Sequence, residues 1–322
     1  MSLYPLVFQP SYHYRIWGGN KLKQFGKESK EEKLGESWEI STVPGYVSIV
    51  SNGSLKGKNL DDLIKEYKDR LVGKKVYQKY GDKFPLLIKF LDAAQPLSVQ
   101  VHPNDEYAAA HHHSFGKTEM WYVLESEPNS EIILGFEKGT NKTIFTENIE
   151  KNTLDTILRK IHPDNGSVIY IPSGRVHAMG KGISVVEIQQ NSDVTYRIYD
   201  YDRIDKDGKK RELHLDQAKE VMDYTFVEDP FSYYDKDAKE TTLLASPYFT
   251  VSSMEVTENK ILNNLSNSFR ILICLEGECT LLNKTLPVTL KKGNTVLLPA
   301  EVENVEVKPL VQTTKLLEVH ID

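Results

Sequence analysis

Residues 166–177 read Gly-Ser-Val-Ile-Tyr-Ile-Pro-Ser-Gly-Arg-Val-His, and they give the most specific indication of the fold in the chain. A glycine opens a short run of β-branched and aromatic residues, which is typical of a strand. The turn Pro172-Ser173-Gly174 then reverses the chain. His177 follows three residues after Gly174, so the turn aims its imidazole back into the interior of a β structure.

Short strands of the same kind dominate the sequence before residue 201. Each is bounded by Gly, Pro, Asn or Asp, and together they predict a sandwich or a jelly roll. The segments are 85–93, 96–103, 118–125, 131–136, 184–190 and 195–201. Helical spacing occurs in three places, which we interpret as additions packed on one side of a barrel. These are 59–73 with Asn59 as N-cap, 145–163 with apolar positions through Ile161, and 213–224.

The chain after about residue 235 reads as strands and turns only. Gly293–Ala300 repeats the pattern of the opening stretch weakly, which indicates a second, degenerate copy of the barrel. No histidine occurs in this copy before His320, so we expect it to lack a metal site. The sequence thus predicts a catalytic domain over 1–235, with helical segments at about 58–80 and 140–163, and a C-terminal β domain over 236–322.

Four side chains predict a metal site in the first barrel. Gln100 and His102 are two apart on a strand, so they point to the same face. Glu119 is a charge among apolar neighbours, and such a carboxylate is rarely buried without a partner or a metal. Together with His177, these groups suit Zn²⁺ or a similar divalent first-row ion. The single negative charge of the set would leave the ion net positive and electrophilic.

The composition and net charge of the chain limit the kinds of molecule that it is expected to bind. The 322 residues carry a formal net charge of -6, which gives no general attraction for nucleic acid or an anionic membrane. An anionic substrate must therefore be held by a local basic pocket. No segment approaches the length of a membrane span, and two cysteines do not make a disulfide framework. Residues 1–19 do not have the charged region followed by a long apolar run that is typical of a secretory signal. We expect a cytoplasmic enzyme or binding protein; its oligomeric state is not legible from the sequence.

Several motifs resemble a known family. The stretch 166–177 resembles the second cupin motif, and Gln100–Glu119 resembles the first, with Gln in place of the usual first His. WGG at 17–19, GESWEIS at 35–41, GKTEMWYVL at 116–124 and IPSGRVHAMG at 171–180 are more specific. They resemble the small bacterial class I mannose-6-phosphate isomerases from about residue 5 to about 205.

The resemblance implies a mainly β fold of two cupin jelly-roll barrels, the second degenerate, with a small helical insertion. It implies a zinc-dependent enzyme that interconverts the small sugar phosphates mannose 6-phosphate and fructose 6-phosphate. Gln100, His102, Glu119 and His177 match the metal ligands of the family, and Arg197 matches its active-site arginine.

Aldose–ketose isomerisation moves a proton between C1 and C2 through a cis-enediol, so it needs a base and an electrophile. Glu187 is the favoured base, because it precedes Arg197 by ten positions and shares its face if the strand continues. Apolar neighbours would raise its pKa; its alternative role is a structural ion pair. Lys117, on the face of Glu119, is the rival base. Arg197 would stabilise the charge of the enediolate.

Candidates for substrate binding are less specific. Ser98, Lys89, Lys117 and Arg203 could contact the phosphate, and Trp17 could cover the sugar, although packing at the barrel mouth is its commoner role. Lys89 could equally be a solvated edge residue. We interpret Lys206, Lys209, Lys210 and Arg211 as a solvated surface run.

Two other functions stay open at this point. An iron-dependent cupin dioxygenase would favour a His-rich site, and Gln100 and the surrounding Lys and Arg residues count against it. A non-catalytic sugar-binding cupin would need no base, and Glu187 together with Arg197 counts against that.

Overall fold

A computed structural model describes residues 2–30, 32–232, 234–263 and 266–322. The strands of the first half are β1 Leu6–Gln9, β2 Ser11–Gly19, β3 Leu34–Ile40, β4 Ile49–Val50, β5 Leu86–Ala93, β6 Val99–Val101, β7 Glu119–Ser126, β8 Ile132–Phe136, β9 Leu158–Ile161, β10 Val168–Ile171, β11 His177–Met179, β12 Ile183–Gln190 and β13 Tyr196–Tyr199. Those of the second half are β14 Glu240–Ala245, β15 Thr250–Val256, β16 Lys260–Leu262, β17 Arg270–Glu276, β18 Glu278–Leu282, β19 Val288–Lys291, β20 Thr295–Leu298, β21 Val305–Pro309 and β22 Thr314–His320.

The helices are few and short. They are α1 Leu60–Tyr67, α2 Asp69–Val72, α3 Lys74–Tyr80, α4 Asp105–His112, α5 Lys142–Glu150 and α6 Leu215–Val221, with 3₁₀ turns at Lys21–Phe25, Gly53–Leu55 and Leu154–Ile157. No helix in the described ranges combines the length and the apolar character that crossing a bilayer requires.

Two sheets form the first barrel. A six-stranded sheet in the order β10-β7-β12-β5-β2-β3 faces a five-stranded sheet in the order β13-β6-β11-β8-β9. Between them lies an apolar cluster that includes Leu91, Trp121, Ile132 and Met179. Apolar side chains therefore fill one part of the barrel interior. Polar side chains on the same inner faces line the rest of the interior.

The second barrel has the same two-layer plan. Its sheets run β14-β15-β22-β17-β20-β1-β4 and β16-β21-β18-β19. The outer face of the six-stranded sheet packs on the seven-stranded sheet through one cluster that contains Phe90, Ile188, Ile273 and Val319. The mainly β fold with cupin barrels and few helices is thus confirmed.

The first strand of the chain belongs to the second barrel. Leu6 in β1 pairs with Leu297 in β20, and Phe8 pairs with Val50. The chain therefore begins in one barrel, builds the other and then returns. The domain boundary near residue 235 remains a prediction. The sequence did not predict that β1, from the first half of the chain, is part of the second barrel.

Some local predictions are correct and others are not. Asn59 caps α1 by accepting the backbone N–H of Asp62. The helix predicted to run through Ile161 is wrong beyond its first part, because Asn152 adopts a left-handed φ of 54° just after α5. The segment 158–161 forms β9 instead, paired with β8. The apolar residues at helical spacing in this segment belong to a strand at the edge of the sheet. Pairing with β8 therefore outweighs the local helical pattern.

Candidate active site

A cavity of about 400 Å³ opens in the first barrel, lined by residues of both sheets. Seven residues singled out from the sequence line it: Trp17, Lys89, Ser98, Gln100, Lys117, Glu187 and Arg197. Among the other lining residues are Arg15, Glu36, Trp38, Asp193, Asp205 and Arg211. The prediction that these strands face one common space therefore agrees with the geometry.

Three fully buried side chains lie directly behind Gln100 and Lys117. The ligand atoms of His102, Glu119 and His177 all lie within 4.8 Å of one another. Nε2 of His177 is 3.2 Å from Oε1 of Glu119, and Nε2 of His102 is 3.5 Å from Oε2. This arrangement is the metal-binding group that the sequence predicted from strand alternation and one turn.

Backbone carbonyls fix the orientation of both imidazoles. Nδ1 of His102 lies 3.0 Å from the carbonyl oxygen of Val194, and Nδ1 of His177 lies 2.9 Å from that of Arg175. A carbonyl only accepts, so each Nδ1 carries the proton and each Nε2 presents a lone pair. Burial first, and then the charge of Lys117, lowers the pKa of His102 to about 3, which keeps this ring neutral at physiological pH.

The donor set fits a divalent metal ion. Glu119 is completely buried, and no N–H or O–H group of the described residues donates to either carboxylate oxygen in hydrogen-bond geometry. Burial alone would raise the pKa of Glu119, but Lys117, 3.0 Å away, and the two histidines hold that pKa well below its usual value. Two imidazole lone pairs and an ionised carboxylate converge on one point, which is costly without a cation between them.

Gln100 contacts this group through His177. Its Nε2 is 3.2 Å from Nε2 of His177, so its amide reaches the same centre. On the five-stranded sheet, Gln100 is in register with His177 on one side and with Arg197 on the other. The row His177–Gln100–Arg197 therefore joins the metal-binding group to the arginine.

A second row of charges crosses the six-stranded sheet. Lys89 is paired with Glu187 at 2.9 Å, and Nε1 of Trp121 donates to the other oxygen of Glu187 at 2.9 Å. The Lys89 ammonium lies 5.0 Å from the ring centre of Trp38. Lys89 is only 5% exposed, so it is not the solvated edge residue that the sequence left as an alternative. The ion pair foreseen for Glu187 is present, within the cavity lining.

Glu36 extends this row. Arg15 donates to both of its oxygens, at 2.9 and 3.0 Å, and Nε1 of Trp38 donates at 2.6 Å. Burial would raise the pKa of Glu36, but Arg15 and Lys89 outweigh it and hold that pKa far below its usual value. Positive and negative side chains thus alternate along the wall, so almost every buried charge has an opposite neighbour.

Arg197 is held by the segment that follows it. Its Nη1 donates to the carbonyl of Glu212 at 2.7 Å, and its backbone N–H donates to Nδ1 of His214 at 3.2 Å. Its Nε is buried without a hydrogen-bond acceptor among the described residues. Burial, reinforced by the charge of Arg211, lowers the pKa of Arg197, which nevertheless remains a permanent cation.

The argument that placed Glu187 and Arg197 on one strand is wrong, although both line the cavity. β12 ends at Gln190 and β13 begins at Tyr196, in the other sheet. Arg203, predicted to contact substrate, is not part of the lining; it donates to the carbonyl of Pro96 and to Asp200.

Arg211 lines the cavity although the sequence did not predict it to do so. The sequence placed it in a solvated run, but its side chain is only 19% exposed and lines the cavity. Glu36 and Arg15 were also missed. β3 is buried on both faces, which removes the alternation that would have marked Glu36, and β2 has two irregularities next to Tyr14 that break its register.

The fold and the site define the class: a cupin protein whose first barrel contains a buried His-Glu-His group able to hold a metal ion. Residues 6–135 match the family model of the phosphomannose isomerase type I catalytic domain, and residues 239–320 match that of the mannose-6-phosphate isomerase cupin domain. The chain belongs to the type I mannose-6-phosphate isomerase family.

Individual relatives agree along nearly the whole length. The mannose-6-phosphate isomerase ManA of Bacillus subtilis is 40% identical over 303 residues, covering 93% of this chain and 94% of that protein. The Streptococcus mutans mannose-6-phosphate isomerase is 38% identical with the same coverage. A crystal structure of the Bacillus subtilis mannose 6-phosphate isomerase superposes with a TM-score of 0.87 at 36% identity, covering 98% of this chain and 99% of that chain.

Proposed function

We propose that this chain is an isomerase that interconverts mannose 6-phosphate and fructose 6-phosphate through a cis-enediol. One observation carries the proposal: a single cavity brings Glu187 and Arg197 to the side of the buried His-Glu-His group. The named relatives, all mannose-6-phosphate isomerases, support the same reaction. They favour it over the dioxygenase and over a binding protein without activity.

Glu187 is the proposed base, which takes the proton from one of the two carbons and returns it to the other. Its carboxylate is held on both oxygens, by Lys89 and by Trp121, so it has one fixed orientation. A fixed base within reach of the carbon is what proton transfer needs. Lys117 is the alternative base, although its ammonium contacts both Glu119 and His102.

Arg197 and the metal-binding group act on the oxygens of the substrate. The guanidinium keeps its charge at all working pH values and stabilises the developing enediolate. His102, Glu119 and His177 hold the ion, which we propose to be Zn²⁺, with Gln100 as a fourth ligand. When bound, a divalent ion supplies a Lewis acid for the sugar carbonyl and hydroxyl. Ser98 and Trp17 are proposed to contact the sugar from the wall.

Proton exchange tests reaction type and substrate together. The zinc-loaded protein should exchange the C2 proton of mannose 6-phosphate in deuterated water and form fructose 6-phosphate. Glu187→Gln should slow this exchange by about 10²- to 10⁴-fold while the metal content stays at the wild-type level. Absence of exchange in the zinc-loaded wild type would refute the reaction. Unchanged exchange in Glu187→Gln would transfer the role of base to Lys117.

We further propose a cytoplasmic location, supported by two buried thiols, Cys274 and Cys279, that are not joined in a disulfide. Fractionation of the cells that produce the protein would test it, and recovery with the membrane or secreted fraction would contradict it.

A further inference from the structure

Arg211 lines the same cavity as Gln100 and Arg197. Arg197 pairs in register with Gln100, which in turn pairs with His177. Adjacent strands are about 4.8 Å apart, so this row leads away from the metal-binding group by about two strand spacings. The segment that ends at His214 folds back against β13 and brings Arg211 to the cavity, where its charge interacts with that of Arg197. Gln100, Arg197 and Arg211 therefore all present polar groups to the same cavity.

Arg211 and Arg203 are both oriented by the carboxylate of Asp200. Asp200 is a single carboxylate shared by two guanidinium groups: Arg211 contacts both of its oxygens, at 2.8 and 2.5 Å, and Arg203 contacts one of them. Within the described ranges, the one hydrogen-bond acceptor of the Arg197 side chain is the backbone carbonyl of Glu212. Arg197 also interacts electrostatically with Asp200 and with the exposed carboxylate of Glu212. Two guanidinium groups, those of Arg197 and Arg211, thus line the cavity, and a phosphate monoester carries a charge of about -1.5 to -2.

Two aspartates also line the cavity. Asp193 interacts electrostatically with Arg15, which also lines the cavity. Asp205 accepts the backbone N–H of Lys206 at 2.7 Å, and the Lys206 ammonium lies 4.4 Å from the ring centre of Tyr14. Arg15 thus offsets the charge of Asp193, whereas the carboxylate of Asp205 is held by a backbone N–H group.

Hydrogen-bond capacity separates Arg211 from Arg203. Arg203 uses Nε, Nη1 and Nη2 on protein oxygens and does not line the cavity. Arg211 uses Nε and Nη2 on Asp200, and no acceptor among the described residues contacts its Nη1. A guanidinium oriented by a buried carboxylate, with one edge free toward a cavity, is suited to bind a phosphate oxygen.

We propose that Arg211, oriented by Asp200, anchors the phosphate of the substrate, and that it takes the role the sequence suggested for Arg203. This inference rests on the proposed function and deepens it. Charge-assisted hydrogen bonds to phosphate are strong, so their loss lowers kcat/KM for mannose 6-phosphate by about 10- to 100-fold. Isomerisation of free mannose, which has no phosphate, does not depend on Arg211.

The test compares Arg211→Gln with Arg203→Gln, because each removes one partner of the same Asp200 carboxylate. Initial rates on mannose 6-phosphate, the metal content and the melting temperature are measured for both and for the wild type. We expect the large loss of kcat/KM only in Arg211→Gln, expressed mainly as a higher KM. Arg211→Lys, which keeps the charge but not the fork, should recover part of it.

A change of less than threefold in Arg211→Gln would overturn the inference. An equal loss in Arg203→Gln would overturn it too, because both arginines would then only balance Asp200. A loss of metal or a lower melting temperature that parallels the loss of rate would assign Arg211 a structural role, also against the inference. A wild type inactive on mannose 6-phosphate would refute the proposed function instead, so the two failures are distinguishable.

Discussion

His13 makes the stability of the cavity wall depend on pH. The ring packs 4.4 Å from Trp38 and 4.7 Å from Tyr46, and its Nε2 is 2.9 Å from Oγ of Ser11. Burial, reinforced by Arg15, lowers the pKa of His13 to about 4 from an ordinary value of 6.5. Between pH 6.5 and pH 4, His13 therefore binds a proton in the unfolded chain but not in the folded protein.

The sign and the size follow from this difference. Above pH 6.5 the histidine is neutral in both states, and its contribution to stability is fully present. As the pH falls from 6.5 toward 4, only the unfolded chain is protonated, so the folded state loses free energy relative to it. For these pKa values the loss from pH 7.5 to pH 5 is about 2 kcal/mol at 25 °C.

Urea unfolding at about pH 7.5 and about pH 5 measures this effect. His13→Gln removes the titrating group but keeps a polar side chain near Ser11. Other groups titrate in the same range, so the informative quantity is the difference between the two proteins in their change with pH. We expect the wild type to lose about 2 kcal/mol more free energy of unfolding than the variant.

A matched control is available in His111, which is exposed on α4. His111→Gln should leave the wild-type pH dependence unchanged. The reasoning would be refuted if wild type and His13→Gln lost stability in parallel, because a buried neutral imidazole could not then be the cause. It would also fail if His111→Gln had the same effect as His13→Gln.

Three further predictions address the metal-binding group, the charged row and the contact between the barrels. His102→Ala and His177→Ala should each abolish stoichiometric metal in the purified protein, measured by mass spectrometry of the metal, whereas Gln100→Ala should retain more; equal metal in all three would contradict the site. Lys89→Met should lower the free energy of unfolding by about 3–5 kcal/mol, because Glu187 is left as an unpaired buried charge, and the double variant with Glu187→Gln should recover part of it. Strict additivity in this double-mutant cycle would argue against the pair. Gly73→Ala should destabilise the fold by at least about 1–3 kcal/mol in thermal or urea unfolding, because its Cβ would lie 2.3 Å from the backbone nitrogen of Ser268 at a φ of 94°; wild-type stability would argue against this contact.

The metal-binding group was predictable because it depends on local rules. Gln100 and His102 share a face because strand side chains alternate, and the turn before His177 reverses the chain whatever lies around it. Glu119 stood out as a charge among apolar residues. Each inference needed only a few neighbouring residues, so it did not depend on knowing how the sheets pack.

Arg211 was not predictable for the opposite reason. Its neighbours in sequence, Lys209, Lys210 and Glu212, are exposed, and a run of charges is ordinarily solvated. Its burial depends on how the segment after β13 returns across the cavity to Asp200, which is a tertiary contact. The same holds for Glu187 and Arg197, which meet across two sheets rather than along one strand. Composition and periodicity carry no information about such returns.

The interiors of the two barrels differ in their content of charged side chains. In the second barrel the inner cluster is apolar and includes Leu272, Cys274, Val296 and Leu316. In the first, inward positions carry ionised groups that are stable in a protein interior only when each faces an opposite charge. The alternating row thus makes catalysis and stability depend on the same side chains. Substitutions within it should change both properties, whereas substitutions in the apolar cluster of the second barrel should change stability alone.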